Sequence, residues 1–380
     1  MPPHDLVHLC GQLLVVGFDG TSLPAAPHDL ASLLRSGQRG GVIVFKRNVR
    51  ATAEGALDVD ALCALNAAII DACPRDLPPL VSVDQEGGRV KRLSAPALQA
   101  PPMRLVGSLS SEEIRSIAAQ AGRELRALGF SMSFAPVLDV DTNPANPVIG
   151  DRSFGATPDV VAMAGIATAR GLADAGVLSC GKHFPGHGDT ELDSHLALPR
   201  VKHDRARIEA VELAPFRDAI AAGILDSIMT AHVVFDAIER DVPATFSRKA
   251  MIDVLRTELG FAGICISDDL FMRGVSPAGG DDPREIAVAA VRAIEAGCDV
   301  LLVAREGPSA KAAQAALVER ASRDEVFAAR VREAFDRSIA MRRRAVACVD
   351  HGAFARSIAS DERATVDAIL TRAASPRRTP

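Results

Sequence analysis

Tryptophan and tyrosine are both absent from this chain, and its 14 phenylalanines are its only aromatic side chains besides histidine. A long polysaccharide groove paved with large aromatics is therefore excluded. Any stacking platform must be a phenylalanine or an aliphatic face. No run approaches the ~18 uninterrupted apolar residues of a membrane span. The first twenty residues, MPPHDLVHLCGQLLVVGFDG, lack a basic leader segment, and His8, Gly11 and Gln12 interrupt their apolar stretch. Neither a signal peptide nor a membrane span is expected. The seven cysteines form no C-x-x-C pair, so neither a zinc ribbon nor a disulfide framework is indicated. Cys180, Cys265 and Cys298 sit in or beside apolar runs and read as small core residues in a reducing compartment. The formal net charge of −5 is spread without blocks, which disfavours nucleic acid as a partner. Cytoplasm is the expected location.

What is there is 380 residues of ordinary globular composition, 48% hydrophobic and 24% charged, enough for a large core. Short apolar runs recur: LLVVGF (13–18), GVIVF (41–45), LVSVD (80–84), SFAPVLDV (133–140), LSCGKHF (178–184), SIMTAHVVF (227–235), GICISDD (263–269) and DVLLVA (299–304). Near-continuous apolar strands are those covered on both faces. Helical stretches with readable ends lie between them. Ser110 and Glu113 fit a capping box. Thr157-Pro158 and Asp282-Pro283 place caps and N1 prolines before helices that should end at Gly176 and Gly297. Eight strands alternating with helices predict an α/β fold, a single-domain (β/α)8 TIM-type barrel. A doubly wound sheet is the alternative, but no G-x-G-x-x-G follows the first strand. Residues 1–346 should form the barrel. Residues 347–380 should form an added C-terminal helix and a disordered tail.

Active sites of such barrels lie at the C-terminal ends of the strands. Polar residues just beyond the apolar runs are Asp84, Asp139, Asp141, Lys182, His183, His232, Asp268 and Asp269. The segment GKHFPGHGDTELDSHLALP, 181–199, concentrates three histidines and three acidic residues in one connection. His183 and His187 stand four apart, as metal ligands can on a helix, but Pro185, Gly186 and Gly188 forbid a helix there. No metal and no cofactor is therefore expected, and His187 and Asp189 read as loop-shaping hydrogen-bond partners. Asp193 and His195, two apart, share one side of an extended segment, where a carboxylate could hold an imidazole as proton donor. Spacing alone favours a loop Asp and His that merely cap a turn. Asp268 ends a buried strand, where an aspartate is costly unless bonded or functional, and is the candidate nucleophile. Asp269 would face away and cap the turn at 270–274. Asp84 with one of the arginines behind it offers the planar donors and carboxylate acceptors that sugar hydroxyls need.

Together KHFPGHGDTELDSH, ISDDL, VDQEGGRVKRL, APVLDV and NPVIGDRSFG resemble the bacterial β-N-acetylglucosaminidases of glycoside hydrolase family 3, the single-domain cytoplasmic kind. The motifs run in order from about Val81 to Gly274. The resemblance implies removal of terminal, non-reducing β-linked N-acetylglucosamine with retention. It implies Asp268 as nucleophile and His195, paired with Asp193, as acid/base. It implies sugar contacts from Asp84, Arg92, Arg152, Lys182 and His183. It further implies a monomer that acts on small carbohydrates, muropeptides in which N-acetylglucosamine is joined to 1,6-anhydro-N-acetylmuramic acid, in cell-wall recycling. A neutral imidazole tolerates an anionic acceptor, so a β-N-acetylglucosaminide phosphorylase is the alternative activity. A metal-dependent barrel hydrolase is the more distant one.

Overall fold

The β-branched and aliphatic runs do become strands, and their pairing sets where every charged strand end points. The computed structural model describes residues 6–27, 29–191, 198–280 and 282–375. In chain order the strands are β1 (Leu14–Val16), β2 (Gly41–Val44), β3 (Leu80–Val83), β4 (Met132–Ser133), β5 (Cys180–Phe184), β6 (Arg200–Val201), β7 (Ser227–Thr230), β8 (Val234–Phe235), β9 (Ile264–Ile266) and β10 (Leu301–Val303). Parallel pairing joins β10, β1, β2, β3 and β4 in one sheet and β5, β7 and β9 in a second. Single parallel bridges, Met132 with Leu178 and Ile266 with Val300, link the two sheets at both edges. Eight parallel strands therefore run in a ring of the (β/α)8 type. The short β6–β8 ladder stands apart from it.

Strand alternation divides the apolar side chains into two cores. Val15, Ile43, Leu80, Met132, Met229 and Leu302 pack with one another inside the ring. Leu14, Val16, Val42, Val44, Val81 and Val83 face the helical layer. Met341 of the helix Glu325–Arg344 and Ala345 just after it enter the inner cluster. Its buried Arg342 donates to Gly40 O, Pro78 O and Gln12 Oε1 at the strands' N-terminal ends. That end is thus plugged, and the C-terminal end is left for chemistry.

Every barrel strand is shorter than the apolar run expected to form it, and two depart most. SFAPVLDV contributes only Ser133 to β4, since Pro136 lacks the N–H a ladder needs. The chain still follows β5, with Cys180 N bonding Ala135 O and Leu138 N bonding Lys182 O. SIMTAHVVF splits into β7 and β8, and β8 pairs with Arg200–Val201 instead of the barrel.

The helix ends follow the local code. Ser110 and Glu113 form the reciprocal capping box of the helix Ser111–Ala127. Asp282 accepts from Arg284 N before the helix Pro283–Ala296, which Gly297 ends at φ 129°. Thr157 precedes the helix Pro158–Asp174 but makes no side-chain cap bond. Beyond Ala347 the chain forms two helices, His351–Ile358 and Asp361–Ala374, where one was expected. Residues 376–380, expected to form a tail, lie outside the described residues.

Candidate active site

Four strand ends, those of β3, β4, β5 and β9, deliver polar side chains to one cup. The cavity there is ≈ 200 Å³ and is lined by Asp84, Glu86, Arg92, Arg152, Lys182, His183, His187, Asp268 and Asp269 with an apolar wall that includes Phe45, Met229 and Met272. That is at the small end of ligand pockets. Phe45 is the one phenylalanine of the lining, and the Arg47 guanidinium lies 4.4 Å above its ring.

Asp84 follows β3 and accepts from Arg92 Nη2 at 2.9 Å and Lys182 Nζ at 3.0 Å. Glu86, two residues on, accepts from Arg152 Nε and Nη2 at 2.9 and 2.8 Å, a bidentate fork, and pairs with Lys182 Nζ at 2.6 Å. Both side chains of the Glu86–Lys182 pair are only 2% exposed. Burial opposes ionisation of Glu86, but the charges and hydrogen bonds of Arg152 and Lys182 outweigh it and hold the carboxyl well below its usual range. Burial likewise opposes the charge on Lys182, and the Glu86 and Asp84 carboxylates reverse that, so the ammonium is kept. The result is a rigid lattice of donors and acceptors, in which two carboxylates and three cations fix one another.

Neighbouring Lys182 and His183 both reach the cavity. The register between β5 and β7 shifts between Gly181 and Phe184, and such an irregularity re-aims side chains that would otherwise alternate. His183 Nδ1 donates to Asp139 Oδ2 at 2.7 Å. Asp139 Oδ1 accepts the backbone N–H groups of His183 at 3.1 Å and His187 at 2.7 Å. Asp139 is wholly buried. Its burial favours the neutral form, yet His183 and these hydrogen bonds bring the carboxyl below its usual value. One aspartate thus fixes the tautomer of His183 and the entry of the loop beyond it.

His187 is almost fully buried, and burial, with a contribution from His183, pushes its pKa down to about 4. Its Nδ1 lies 2.8 Å from Thr190 Oγ1, and its carbonyl accepts from Asn146 Nδ2 at 2.8 Å. Asp189 accepts from Thr142 Oγ1 at 2.8 Å and pairs with His203. His187 and Asp189 therefore do shape the loop base, while His187 also lines the cup. Asp193 and His195, the expected proton-transfer pair, lie outside the described residues. Among the described residues no group of three or more His, Cys, Asp and Glu side chains is placed to hold a metal ion.

On the opposite wall, Asp268 follows β9. Its N–H points to Thr230 Oγ1 at 3.4 Å, and its Oδ1 accepts from Asp269 N at 2.8 Å. Asp269 accepts from Phe271 N at 3.1 Å, capping the turn, and from Ala304 N at 2.9 Å, tying it to the end of β10. His232 is buried behind this pair, with Nδ1 on Thr245 Oγ1 and Nε2 on Asp269 O. Asp141 pairs with Arg104 and does not line the cavity.

Asp84, Arg92, Arg152, Lys182, His183 and Asp268, picked from the sequence, are thus brought together. Glu86 was not anticipated. The available signal was its place two residues beyond Asp84 in VDQEGG, which in extended chain shares a side with it. Asp139 was legible as a polar strand end, but its pairing with His183 was not.

This geometry has close parallels. Residues 7–340 match the model of the glycosyl hydrolase family 3 N-terminal domain. A β-hexosaminidase of Thiobacillus denitrificans is 43% identical over 271 residues, covering 70% of this chain and 71% of that one. A family 3 β-N-acetylglucosaminidase from a Paenibacillus species superposes with a TM-score of 0.85 at 38% identity, over 97% of this chain and 69% of the other. NagZ from Neisseria gonorrhoeae, solved with N-trifluoroacetyl-D-glucosamine, superposes with a TM-score of 0.75 at 29% identity, over 96% of this chain and 98% of the other.

Proposed function

Given that the chain belongs to glycosyl hydrolase family 3 and is a β-N-acetylhexosaminidase, we propose how its own residues divide the work. Asp268 attacks the anomeric carbon and forms a covalent glycosyl-enzyme. His195, held by Asp193, first protonates the leaving oxygen and then takes a proton from water, so that configuration is retained. Asp84, Arg92, Arg152, Lys182 and His183 hold the hydroxyls of a single terminal sugar. Glu86 joins them by fixing Arg152 and Lys182. The observation that carries this reading is the opposition of Asp268 to that lattice across one small cup. No helix among the described residues is long and apolar enough to cross a membrane.

The substrate we assign is a muropeptide, N-acetylglucosamine joined to 1,6-anhydro-N-acetylmuramic acid, hydrolysed by a cytoplasmic monomer during cell-wall recycling. The small cavity and the lack of large aromatics favour one sugar ring over a polysaccharide. Residues 1–346 are the catalytic unit, and 347–380 an extension of it.

Leaving groups test these roles. Asp268→Ala should lower turnover by at least ~10³-fold on any β-N-acetylglucosaminide. His195→Ala should cost far more with an alkyl or sugar leaving group than with an activated aryl group, which needs little protonation. Equal losses on both substrates would remove His195 from the role of proton donor. Replacing the buffer with phosphate separates hydrolysis from phosphorolysis: free sugar is expected, and a sugar 1-phosphate would overturn the assignment of water as acceptor.

A further inference from the structure

The matched family domain ends at residue 340, yet the helix Asp361–Ala374 packs on the back of the sugar-holding wall. Its Val366 and Leu370 share an apolar cluster with Leu98, Met103 and Val106 of the connection after β3, and with Val140 and Phe154 of the connection after β4. These two connections carry Asp84, Glu86, Arg92, Asp139 and Arg152. A polar contact lies at the same place. Arg363 Nη1 donates to Pro96 O at 3.1 Å and to Glu124 Oε1 at 2.7 Å. Glu124 Oε2 accepts from Leu98 N at 2.6 Å. The two side chains are 13% and 2% exposed, so this is a desolvated, charge-assisted grip on the connection's main chain.

From that grip a continuous set of hydrogen bonds leads to the cup. Gln99 Nε2 donates to Ala97 O at 2.7 Å and Leu93 O at 3.1 Å. Gln85 Oε1 accepts from Leu93 N at 3.2 Å and Arg92 N at 2.9 Å. Arg92 ends on Asp84. A cavity of ≈ 50 Å³ lies between Gln85–Gly87 and the helix Ser111–Ala127, so the connection lacks a filled bed beneath it.

We propose that Arg363, from outside the family domain, and Glu124, from within it, are positioning residues for sugar binding: together they clamp Pro96 and Leu98 and so hold Asp84 and Arg92 at the cup. The proposal rests on the reading that Asp84 and Arg92 bind the sugar. Loosening the clamp weakens contacts made equally in ground and transition states, so KM rises more than kcat falls.

The test is steady-state kinetics of the full chain on an aryl β-N-acetylglucosaminide, assayed below each variant's thermal midpoint. Arg363→Ala should raise KM about five- to tenfold with kcat within about twofold. Arg363→Lys, which reaches one acceptor, should recover part of the loss and serves if the alanine variant does not fold. Arg372→Ala, on the same helix as Arg363, removes the pair with Glu113 of the helix Ser111–Ala127 and should leave KM unchanged. An unchanged KM in both Arg363 variants, whatever their thermal midpoints, overturns the proposal, as does an equal rise in Arg372→Ala. Asp84→Asn separates the two levels. A raised KM there with normal Arg363 variants sinks the clamp alone, and an unchanged KM there sinks the sugar-site reading and the clamp with it.

Discussion

Asp139 has no exposed surface and makes no direct claim on the sugar, yet three N–H groups end on its two oxygens. Asparagine keeps its shape but has one acceptor oxygen and turns an amide N–H₂ toward donors. Buried donors left unmet cost about 1–3 kcal/mol each. Asp139→Asn should therefore lower kcat/KM by about 10- to 100-fold through misplacement of His183. Kinetics within twofold of the parent would show that His183 is held by other means. At this scale Asp84, Lys182 and Asp268 were legible because a charge directly after an apolar run is unusual. Glu86 and the partnership of Asp139 were not, because each depends on which side chains arrive from other strands.

Elements were legible where their ends are coded locally. The box Ser110–Glu113 sits at the start of the helix Ser111–Ala127, with Ser110 Oγ accepting from Glu113 N and Glu113 Oε2 accepting from Ser110 N. Ser110→Ala should cost about 1 kcal/mol in a denaturation midpoint and leave the kinetics unchanged. A loss under a few tenths of a kcal/mol would mean that tertiary packing alone sets this helix end. Elements were misread where pairing decides. SIMTAHVVF is largely apolar, but only Ser227–Thr230 forms a strand of the barrel, and Val234–Phe235 pairs elsewhere. Gly297 and Gly176, at φ 129° and 72°, were legible because little else tolerates the left-handed turn from helix to strand.

Stability of the whole molecule carries the site's electrostatics. The folded state holds His187 neutral down to about pH 4 by burial, against a value of about 6.5 in the unfolded chain. Between those values the unfolded state binds the extra proton, so stability rises with pH there and is lost as pH falls from about 6.5 toward 4. Glu86 and Asp139 are depressed carboxyls, whose contribution is intact above about 4 and fades only below it. The thermal midpoint should thus decline from pH 6.5 to 4.5, and His187→Asn should flatten that slope while lowering the value at pH 7. An identical slope in both proteins would assign the decline to other groups. By itself the sequence determined the (β/α) alternation, the helix caps and the short roll of charged strand ends, because these follow from periodicity and from the backbone's local needs. Only the tertiary structure decided that β5 turns two adjacent side chains into one cup, that Glu86 joins Arg152 to Lys182, and that a C-terminal helix packs behind the connections that carry Asp84 and Arg152. Each of those depends on contacts between residues far apart in the chain, whose energies no local pattern records.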